Sequence, residues 1–335
     1  MYMFKYVMKR LGLMILTFII IFTMCFTLIK LLPIPVNVLP GQSPEIIYKT
    51  LEGRGWITNV KAGANGVYTY DRVPILIQLG LYVKRIVTEG DFGIVTTYGE
   101  YLNMNIWEVF VSHLPPTILI NIYSTLLGVP IGLGLGIIAA LKKNKWQDQL
   151  INIFVILLIS VPSIILALMI QFVLCFKLGW FPLMMETSNA YFTWDVFYSM
   201  LPAVFALSLG SIAGYARYTR AELSEVLTSE FMLLARTKGL TKRQAIFRHA
   251  MRSSMVVIFP SILSEFIGVL SGSLIVESMF GVNGVGGLYL NSINFQDYDF
   301  FMLLSGFYTL VSLTAGIVID ISYGFIDPRI RMGAK

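Results

Sequence analysis

The chain has 335 residues, of which 56% are hydrophobic and only 13% are charged, and its formal net charge is +6. Soluble globular domains carry about 25% charged residues. The composition therefore excludes a soluble fold and indicates that lipid is the main solvent of the chain. The basic residues lie between apolar runs and form no aromatic-rich basic face, which argues against nucleic-acid binding.

Six apolar runs are long enough to cross a bilayer, because a spanning helix needs about 20 mostly apolar residues. The first run follows Lys5, Lys9 and Arg10. It is longer than the apolar region of a signal peptide and is followed by no small-residue cleavage site, so we interpret it as an uncleaved span. The predicted spans cover residues 11–31, 117–140, 150–175, 198–216, 255–277 and 301–323.

The distribution of Lys and Arg predicts that both termini lie in the cytoplasm, because cytoplasmic loops are enriched in these residues. With the N-terminus inside, 17 of the 25 basic residues are cytoplasmic. Three lie in the N-terminal tail, three in the loop after the second span, eight in the loop after the fourth span and three in the C-terminal tail. The opposite orientation would place all of them outside.

The loop after the first span, residues 32–105, is the longest one and is predicted to form an extracytoplasmic subdomain. It separates residues 1–31, the N-terminal tail and first span, from a core domain at 106–335. Turn and periodicity signals predict three elements within the loop. They are a short helix at 43–53, a β-hairpin between Trp56 and Tyr70 around Asn65-Gly66, and an amphipathic interfacial helix from Pro74 to Thr88.

The loop between the fourth and fifth spans, about 217–253, carries the most informative pattern. Apolar residues at helical spacing predict one helix over 221–234. Gly239 is expected to end that segment, and Thr241 is expected to cap a second helix that begins at Lys242. Such a pair is typical either of a rigid apolar knob for a partner protein or of an ordinary helix pair in a solvated loop. The apolar residues are Leu223, Val226, Leu227 and Leu234.

No cofactor or metal site is predicted in this chain. Cys25 and Cys175 lie in apolar runs, and His113 and His249 lack the spacing of metal ligands. There is no G-x-x-x-x-G-K-[ST] motif to cradle a phosphate, and no constellation of residues with catalytic spacing. The sequence therefore predicts a protein that is not itself an enzyme, and any ATP that drives it would be bound by a separate chain.

Several stretches resemble one family of membrane transporters. Residues 230–240, EFMLLARTKGL, followed by RHAMR at 248–252, are similar to the EAA loop of binding-protein-dependent ABC importer permeases. The resemblance is strongest to the first permease subunit of the dipeptide/oligopeptide/nickel family. Further similar stretches are EGDFG at 89–93, SVPS at 160–163, LGWFP at 178–182, ESMF at 277–280 and DPRIR at 327–331.

This resemblance implies an all-α polytopic protein of the bacterial inner membrane, with six spans, a cytoplasmic coupling hairpin and half of a translocation pathway for dipeptides or oligopeptides. The implied partners are a second homologous permease, two ATPase subunits that bind ATP and Mg, and an extracytoplasmic solute-binding protein. The resemblance assigns coupling to the ATPase to residues of the EAA-like segment. They are Glu230, Ala235, Arg236, Lys238, Gly239 and Arg248.

Within the predicted spans, acidic residues mark candidate functional positions because they are costly to place in lipid. We hypothesise that Glu265, near the middle of the fifth span, faces the pathway, although a packing role has equal support. Glu277 at the outer end of that span and Pro162 in the third span are further pathway or gate candidates.

Three glycines spaced four residues apart in the second span predict close helix packing. They are Gly128, Gly132 and Gly136. Such a seam can lie beside the pathway or against the second permease, but packing within this subunit is the favoured interpretation.

The chain departs from the family pattern on the external side. Asn283-Gly284-Val285-Gly286 stands where members have Pro-Gly-Leu-Gly, and Gln296-Asp297-Tyr298-Asp299 where they have Arg-Asp-Tyr-Pro. Extra residues lie around 57–70. These differences bear on the substrate and the binding protein rather than on coupling.

Three alternative functions remain at the level of the sequence. They are a permease of the same family for nickel or a metal chelate, a stand-alone secondary transporter and a scaffold subunit. Secondary transporters usually show inverted repeats or more intramembrane charge than this chain does.

Overall fold

The structure is a computed structural model that describes residues 2–34, 43–63, 68–97, 99–186 and 190–326. The chain divides into two compact units. We call Met1–Val7, Leu114–Gly287 and Val311–Lys335 the core unit, and Met8–His113 with Leu288–Leu310 the loop unit. The DPRIR stretch and the Asn65-Gly66 turn lie outside the described residues.

Helices dominate the described part of the chain. The helices are α1 Tyr2–Leu31, α2 Pro44–Gly53, α3 Ile75–Glu89, α4 Ile106–Leu141, α5 Trp146–Ser160, α6 Ser163–Ile170, α7 Trp194–Thr228, α8 Glu230–Thr237, α9 Lys242–Ala245, α10 Met251–Gly268, α11 Leu274–Met279, α12 Val285–Asn294 and α13 Tyr298–Ile326. Strands β1 Ile57–Ala62 and β2 Tyr68–Arg72 form one antiparallel hairpin.

Five helical segments within the described ranges are long and apolar enough to cross a membrane, and a bent helix pair makes a sixth. The five are Lys5–Leu31, Ile106–Leu141, Trp194–Thr228, Lys242–Ser271 and Tyr298–Tyr323. The bent pair joins Trp146–Ser160 to Ser163–Lys177. The predicted class, a polytopic helical membrane protein with about six spans, is confirmed.

The predicted third span, 150–175, is not one straight helix. Its two halves meet at an angle of 103°. Pro162 has no backbone N–H to continue the ladder of α5, and a proline disfavours helical backbone in the residue before it. Val161 accordingly adopts an extended conformation, with φ −89° and ψ 127°, and α6 begins directly after Pro162.

The predicted fifth span, 255–277, ends earlier than expected. A 3-10 turn closes α10 at Ser271, and Gly272 then takes a φ of +68°, which only glycine adopts without strain. Glu277 therefore lies on the separate short helix α11 and not at the end of the span.

In the core unit, α4 lies directly against α7 along the three-glycine seam. A Cβ atom on Gly128, Gly132 or Gly136 would come within 2.6–2.8 Å of a side chain of α7. The facing residues of α7 are Ser211, Tyr215 and Thr219. The glycines therefore serve packing within this chain, as the favoured interpretation predicted.

The loop unit contains all three elements predicted for residues 32–105. The short helix is α2, the hairpin is β1–β2, and the amphipathic helix is α3, which Gly90 ends with a left-handed φ of 65°. Their apolar faces meet in a buried cluster that includes Phe26 of α1, Trp56, Tyr82 and Met302 of α13. The described part of the extra residues around 57–70 thus contributes to the paired strands β1 and β2.

Candidate functional site

The segment after α7 forms a helix–glycine–helix hairpin in the core unit. Helix α8 ends at Thr237, and Gly239 turns the chain with a φ of +86°. Thr241 then begins α9 with a capping box: its hydroxyl accepts from the Gln244 N–H at 3.3 Å, and its own N–H donates to the Gln244 side chain at 3.1 Å. The predicted glycine stop and threonine cap are confirmed.

One prediction for this segment is wrong. The expected helix over 221–234 is interrupted, because Ser229 has extended backbone (φ −70°, ψ 153°) between α7 and α8. Leu234 consequently does not share a face with Leu223. Leu223 is buried, whereas Leu234 is exposed on α8.

The two faces of the α8–α9 hairpin differ in exposure. Met232 and Ala235 of α8 are buried in one cluster with Ala140, Leu223, Ala245 and Ala250. Other large apolar side chains of this segment are exposed. These are Phe231, Leu233, Leu234 and Phe247.

Exposed charged residues are interspersed along the sequence with the exposed apolar side chains. The candidate coupling residues Glu230, Arg236, Lys238, Gly239 and Arg248 are all exposed. Apolar side chains interspersed with charges are unsuited to lipid and typical of a protein docking surface. Of the predicted coupling residues, Ala235 alone has its side chain inside the hairpin, where its small size lets α8 pack closely.

Glu265 lies in a pocket of about 360 Å³ between α7 and α10. Ser211 of α7 donates a hydrogen bond to its carboxylate. The other lining residues are small or hydroxyl-bearing: Gly210, Gly214, Tyr215, Tyr218 and Ser261. Glu265 is only partly buried, so its carboxylate remains accessible from this pocket.

Glu277, by contrast, is almost completely buried, with 1% of its surface exposed. Its carboxylate accepts hydrogen bonds from the Thr117 hydroxyl at 3.1 Å, the Ser273 N–H at 3.1 Å and the Gly286 N–H at 2.8 Å. The Thr117 hydroxyl oxygen accepts in turn from the Val285 N–H at 2.9 Å. The carboxylate thus fastens α4, α11 and the start of α12 together.

Glycines make room for this carboxylate. A Cβ atom on Gly272, Gly284 or Gly286 would collide with Glu277. Burial raises the pKa of the Glu277 carboxyl above its ordinary value of 4.5, and the hydrogen bonds from Gly286, Ser273 and Thr117 oppose that shift. The turn that lacks the family's proline is therefore held by side-chain hydrogen bonds.

Sequence patterns did not single out an ion pair between α5 and α7 in which Asp148 is buried and Arg220 is partly exposed. Arg220 binds Asp148 with two parallel hydrogen bonds, at 2.5 and 2.9 Å. Asp148 also accepts from the Asn144 N–H and the Asn152 side chain. This bidentate contact joins the start of the bent span to α7. Arg220 lies eight residues before the end of α7 at Thr228. No spacing rule links residues so far apart in sequence.

A second missed group lies in the loop unit. Arg54 pairs with the buried carboxylate of Asp299, and the Lys30 Nζ lies 4.0 Å from the same carboxylate. Asp297 accepts from the N–H groups of Thr96 and Thr97, at 2.6 and 3.1 Å. A signal was present in the sequence, since Asp299 replaces the proline that the family has at this place.

Comparison with known proteins places these features in a family. The family described as "Binding-protein-dependent transport system inner membrane component" matches residues 132–332, well over half of the chain. The chain belongs to this family. It is therefore a multi-pass inner-membrane component of a transport complex, and it acts together with other subunits.

Curated relatives align along nearly the whole chain. A dipeptide transport system permease protein DppB of Bacillus subtilis (strain 168) is 30% identical over 99% of this chain and 100% of its own length. The DppB of Lactococcus lactis subsp. cremoris and the oligopeptide transport system permease protein OppB of Salmonella typhimurium are each 29% identical, over 98% of this chain and 100% of their own lengths.

A solved structure supports the fold. It is the crystal structure of an amino acid ABC transporter with histidines, which is 20% identical and covers 65% of this chain and 94% of its own. The TM-score is 0.52.

Proposed function

We propose that this chain is one of two homologous permease subunits in an ATP-driven importer of dipeptides or oligopeptides. In this proposal it forms half of the pathway, two ATPase subunits bind ATP and Mg, and an extracytoplasmic binding protein delivers the substrate. The observation that carries the coupling part is the α8–α9 hairpin, which exposes Phe231, Leu233 and Leu234 while Met232, Ala235 and Ala245 pack inside.

The hairpin surface suits an ATPase subunit. Phe231, Leu233 and Phe247 offer apolar area that an aqueous partner can bury, at about 25 cal/mol per Å². Arg236, Lys238 and Arg248 are exposed in the same segment and can pair with acidic residues of the partner. Each such pair contributes about 0–1 kcal/mol when it stays exposed. These basic residues therefore help to orient the ATPase subunit on the hairpin more than they add to its affinity.

The pocket at Glu265 suits one side of a peptide pathway. A partly accessible carboxylate beside hydroxyl groups can bind the positively charged amino terminus or side chain of a peptide. The pocket is open, and the second permease would supply its opposite wall. Glu265 and Pro162, at the bend of the third span, are the residues of this chain that we assign to the pathway.

The distribution of basic residues supports an orientation with both termini and the α8–α9 hairpin in the cytoplasm. In this orientation the loop at 32–105 is extracytoplasmic, where a binding protein can dock. The chain carries no phosphate-cradling motif in its sequence, which supports a transport subunit that leaves ATP hydrolysis to its partners. The names of the relatives favour peptides over nickel or a metal chelate.

The test compares two substitutions at Gly239 in the reconstituted complex. Gly239 has a left-handed φ of +86°, and a Cβ atom there would meet nothing within 4 Å. Gly239→Asn can adopt this backbone, whereas Gly239→Pro cannot, because proline fixes φ near −65°. ATP hydrolysis stimulated by peptide and binding protein should persist in Gly239→Asn and fall at least tenfold in Gly239→Pro.

Assembly of the complex is measured in parallel by co-purification. Equal stimulation in both variants would contradict the coupling role of the hairpin. Failure of the wild-type chain to bind an ATPase subunit, together with solute movement without ATP, would replace the proposal with a secondary transporter.

A further inference from the structure

The loop unit contains an apolar groove that the proposed function does not use. It has a volume of about 730 Å³ and lies between α1, α3, the start of α4 and the first part of α13. Phe22, Val83, Trp107 and Phe307 are among its lining residues, and the polar side-chain groups of the lining residues are the hydroxyls of Thr23 and Tyr82 and the indole N–H of Trp107. Water would find too few partners there, so a hydrocarbon is the fitting occupant.

The groove is open where its walls are most exposed. Val87 of α3 is 77% exposed and Ile19 of α1 is 54% exposed. Both line the groove. Helix α1 is a membrane span, and only 11% of its most apolar window is buried. The groove is therefore continuous with a surface that faces lipid, so its contents exchange with bilayer hydrocarbon and not with the aqueous phase.

The volume of the groove distinguishes between two possible apolar occupants, a membrane-spanning helix and a lipid acyl chain. A helix about 10 Å across that rises 1.5 Å per residue would fit only roughly six residues into this volume, so a membrane span could enter the groove with one face only, whereas an acyl chain can lie wholly inside it. A methylene group occupies about 30 Å³, close to the volume of a water molecule in the liquid. The groove therefore has room for roughly 24 methylene groups, which is more than one acyl chain contains.

We propose that this groove is a binding site for an acyl chain of a membrane phospholipid. The site joins α1 to the amphipathic helix α3, in the unit that also contains the extra residues around 57–70 and the departure from the family pattern at residues 296–299. This inference depends on the membrane location of α1 and not on peptide transport.

The test uses Trp107 as a reporter inside the groove. In one full-length protein Trp107 is kept and the four other tryptophans are replaced with Phe. The matched protein keeps Trp194, which is 71% exposed and is not a groove residue. Both are reconstituted in nanodiscs of phosphatidylcholine with brominated acyl chains, which quench tryptophan fluorescence on contact, and are then transferred to bromine-free detergent.

Trp107 should stay quenched after the transfer while Trp194 recovers, with at least fivefold more retained quenching for Trp107. Thr23→Phe, which fills the groove, should abolish the retained quenching. Leu28→Phe is the matched control, because Leu28 is an exposed residue of the same helix outside the groove, and it should leave the retained quenching unchanged.

Three results would overturn the proposal. Equal recovery of both tryptophans would mean that lipid contacts the groove only as it contacts any exposed surface. No quenching of Trp107 in the nanodisc would mean that protein covers the groove. Retained quenching that survives Thr23→Phe would place the bound chain elsewhere.

Discussion

Glu265 and Glu277 carry the same charged group, and the sequence predicts a pathway or gate role for both. The structure separates them. Glu265 lies partly exposed in an open pocket, where Ser211 and Tyr215 hydrogen-bond its carboxylate, whereas Glu277 is buried and accepts from two backbone N–H groups and a threonine. The Glu277 carboxylate is buried and already accepts hydrogen bonds from its own chain, so it has few free acceptor sites for a substrate. Its role is structural: it holds α4, α11 and the start of α12 together.

This contrast predicts that a substitution at Glu277 mainly lowers the free energy of unfolding. Glu277→Ala should lower the free energy of unfolding by about 2–5 kcal/mol, because each buried group left without a partner costs about 1–3 kcal/mol. The thermal unfolding midpoint of the purified protein measures the effect. Glu277→Gln keeps an acceptor oxygen and should lose less than Glu277→Ala. An unchanged midpoint in Glu277→Ala would show that these hydrogen bonds do not hold the turn.

The glycines around Glu277 offer a test with a matched neighbour. A Cβ atom on Gly286 would lie 2.8 Å from the Glu277 carboxylate and 3.0 Å from the backbone of Leu274, whereas one on Gly287 would meet nothing within 4 Å. Gly286→Ala should destabilise the protein by about 1–3 kcal/mol, the usual cost of overpacking. Gly287→Ala should be nearly neutral. Equal midpoints for the two variants would argue against the close approach.

At Glu265 the expected effect is on transport and not on stability. Glu265→Gln should reduce the uptake of cationic peptides about tenfold, which corresponds to roughly 1.4 kcal/mol, and leave the unfolding midpoint nearly unchanged. Uptake of a neutral peptide of the same length is the control. Unchanged kinetics for both peptides in reconstituted vesicles would remove Glu265 from the pathway.

The smallest effect concerns pH. Burial raises the pKa of Glu277, so the folded protein holds this proton more tightly than the unfolded chain does. The contribution to stability is complete below the ordinary value of 4.5 and is lost as the pH rises through the folded-state pKa. Each unit by which the folded-state pKa exceeds the unfolded-state pKa corresponds to about 1.4 kcal/mol of folding free energy.

Unfolding midpoints measured from pH 4.5 upward should therefore fall more steeply in the wild type than in Glu277→Gln. Parallel curves for the two proteins would contradict a raised pKa at this position.

Local features of the fold were predictable from the sequence. The helices α2 and α3, the hairpin, the Gly239 stop and the Thr241 cap each depend on neighbouring residues, and all lie where the pattern placed them. Prolines were less predictable. Pro202 and Pro260 lie inside continuous helices, whereas Pro162 separates α5 from α6. Packing around each proline decides this outcome, and no local pattern records it.

Contacts between distant residues were not predictable from one sequence. Arg220 pairs with Asp148 from 72 residues away, and Arg54 pairs with Asp299 from 245 residues away. A lone charge near a membrane span has many possible partners, and only the three-dimensional path of the chain selects one. The same holds for Glu277, whose amide donors depend on the turn of α10 at Gly272.

The most direct test of the account is ATP-dependent uptake of a labelled dipeptide into proteoliposomes that contain the complete complex. The binding protein is placed with the peptide on one side of the membrane, and ATP is supplied with the ATPase subunits on the other. We expect the dipeptide to accumulate above its starting concentration only with ATP, and we expect Gly239→Pro to abolish this accumulation. Equilibration of the dipeptide without ATP, to the same extent in wild type and Gly239→Pro, would contradict the proposed function.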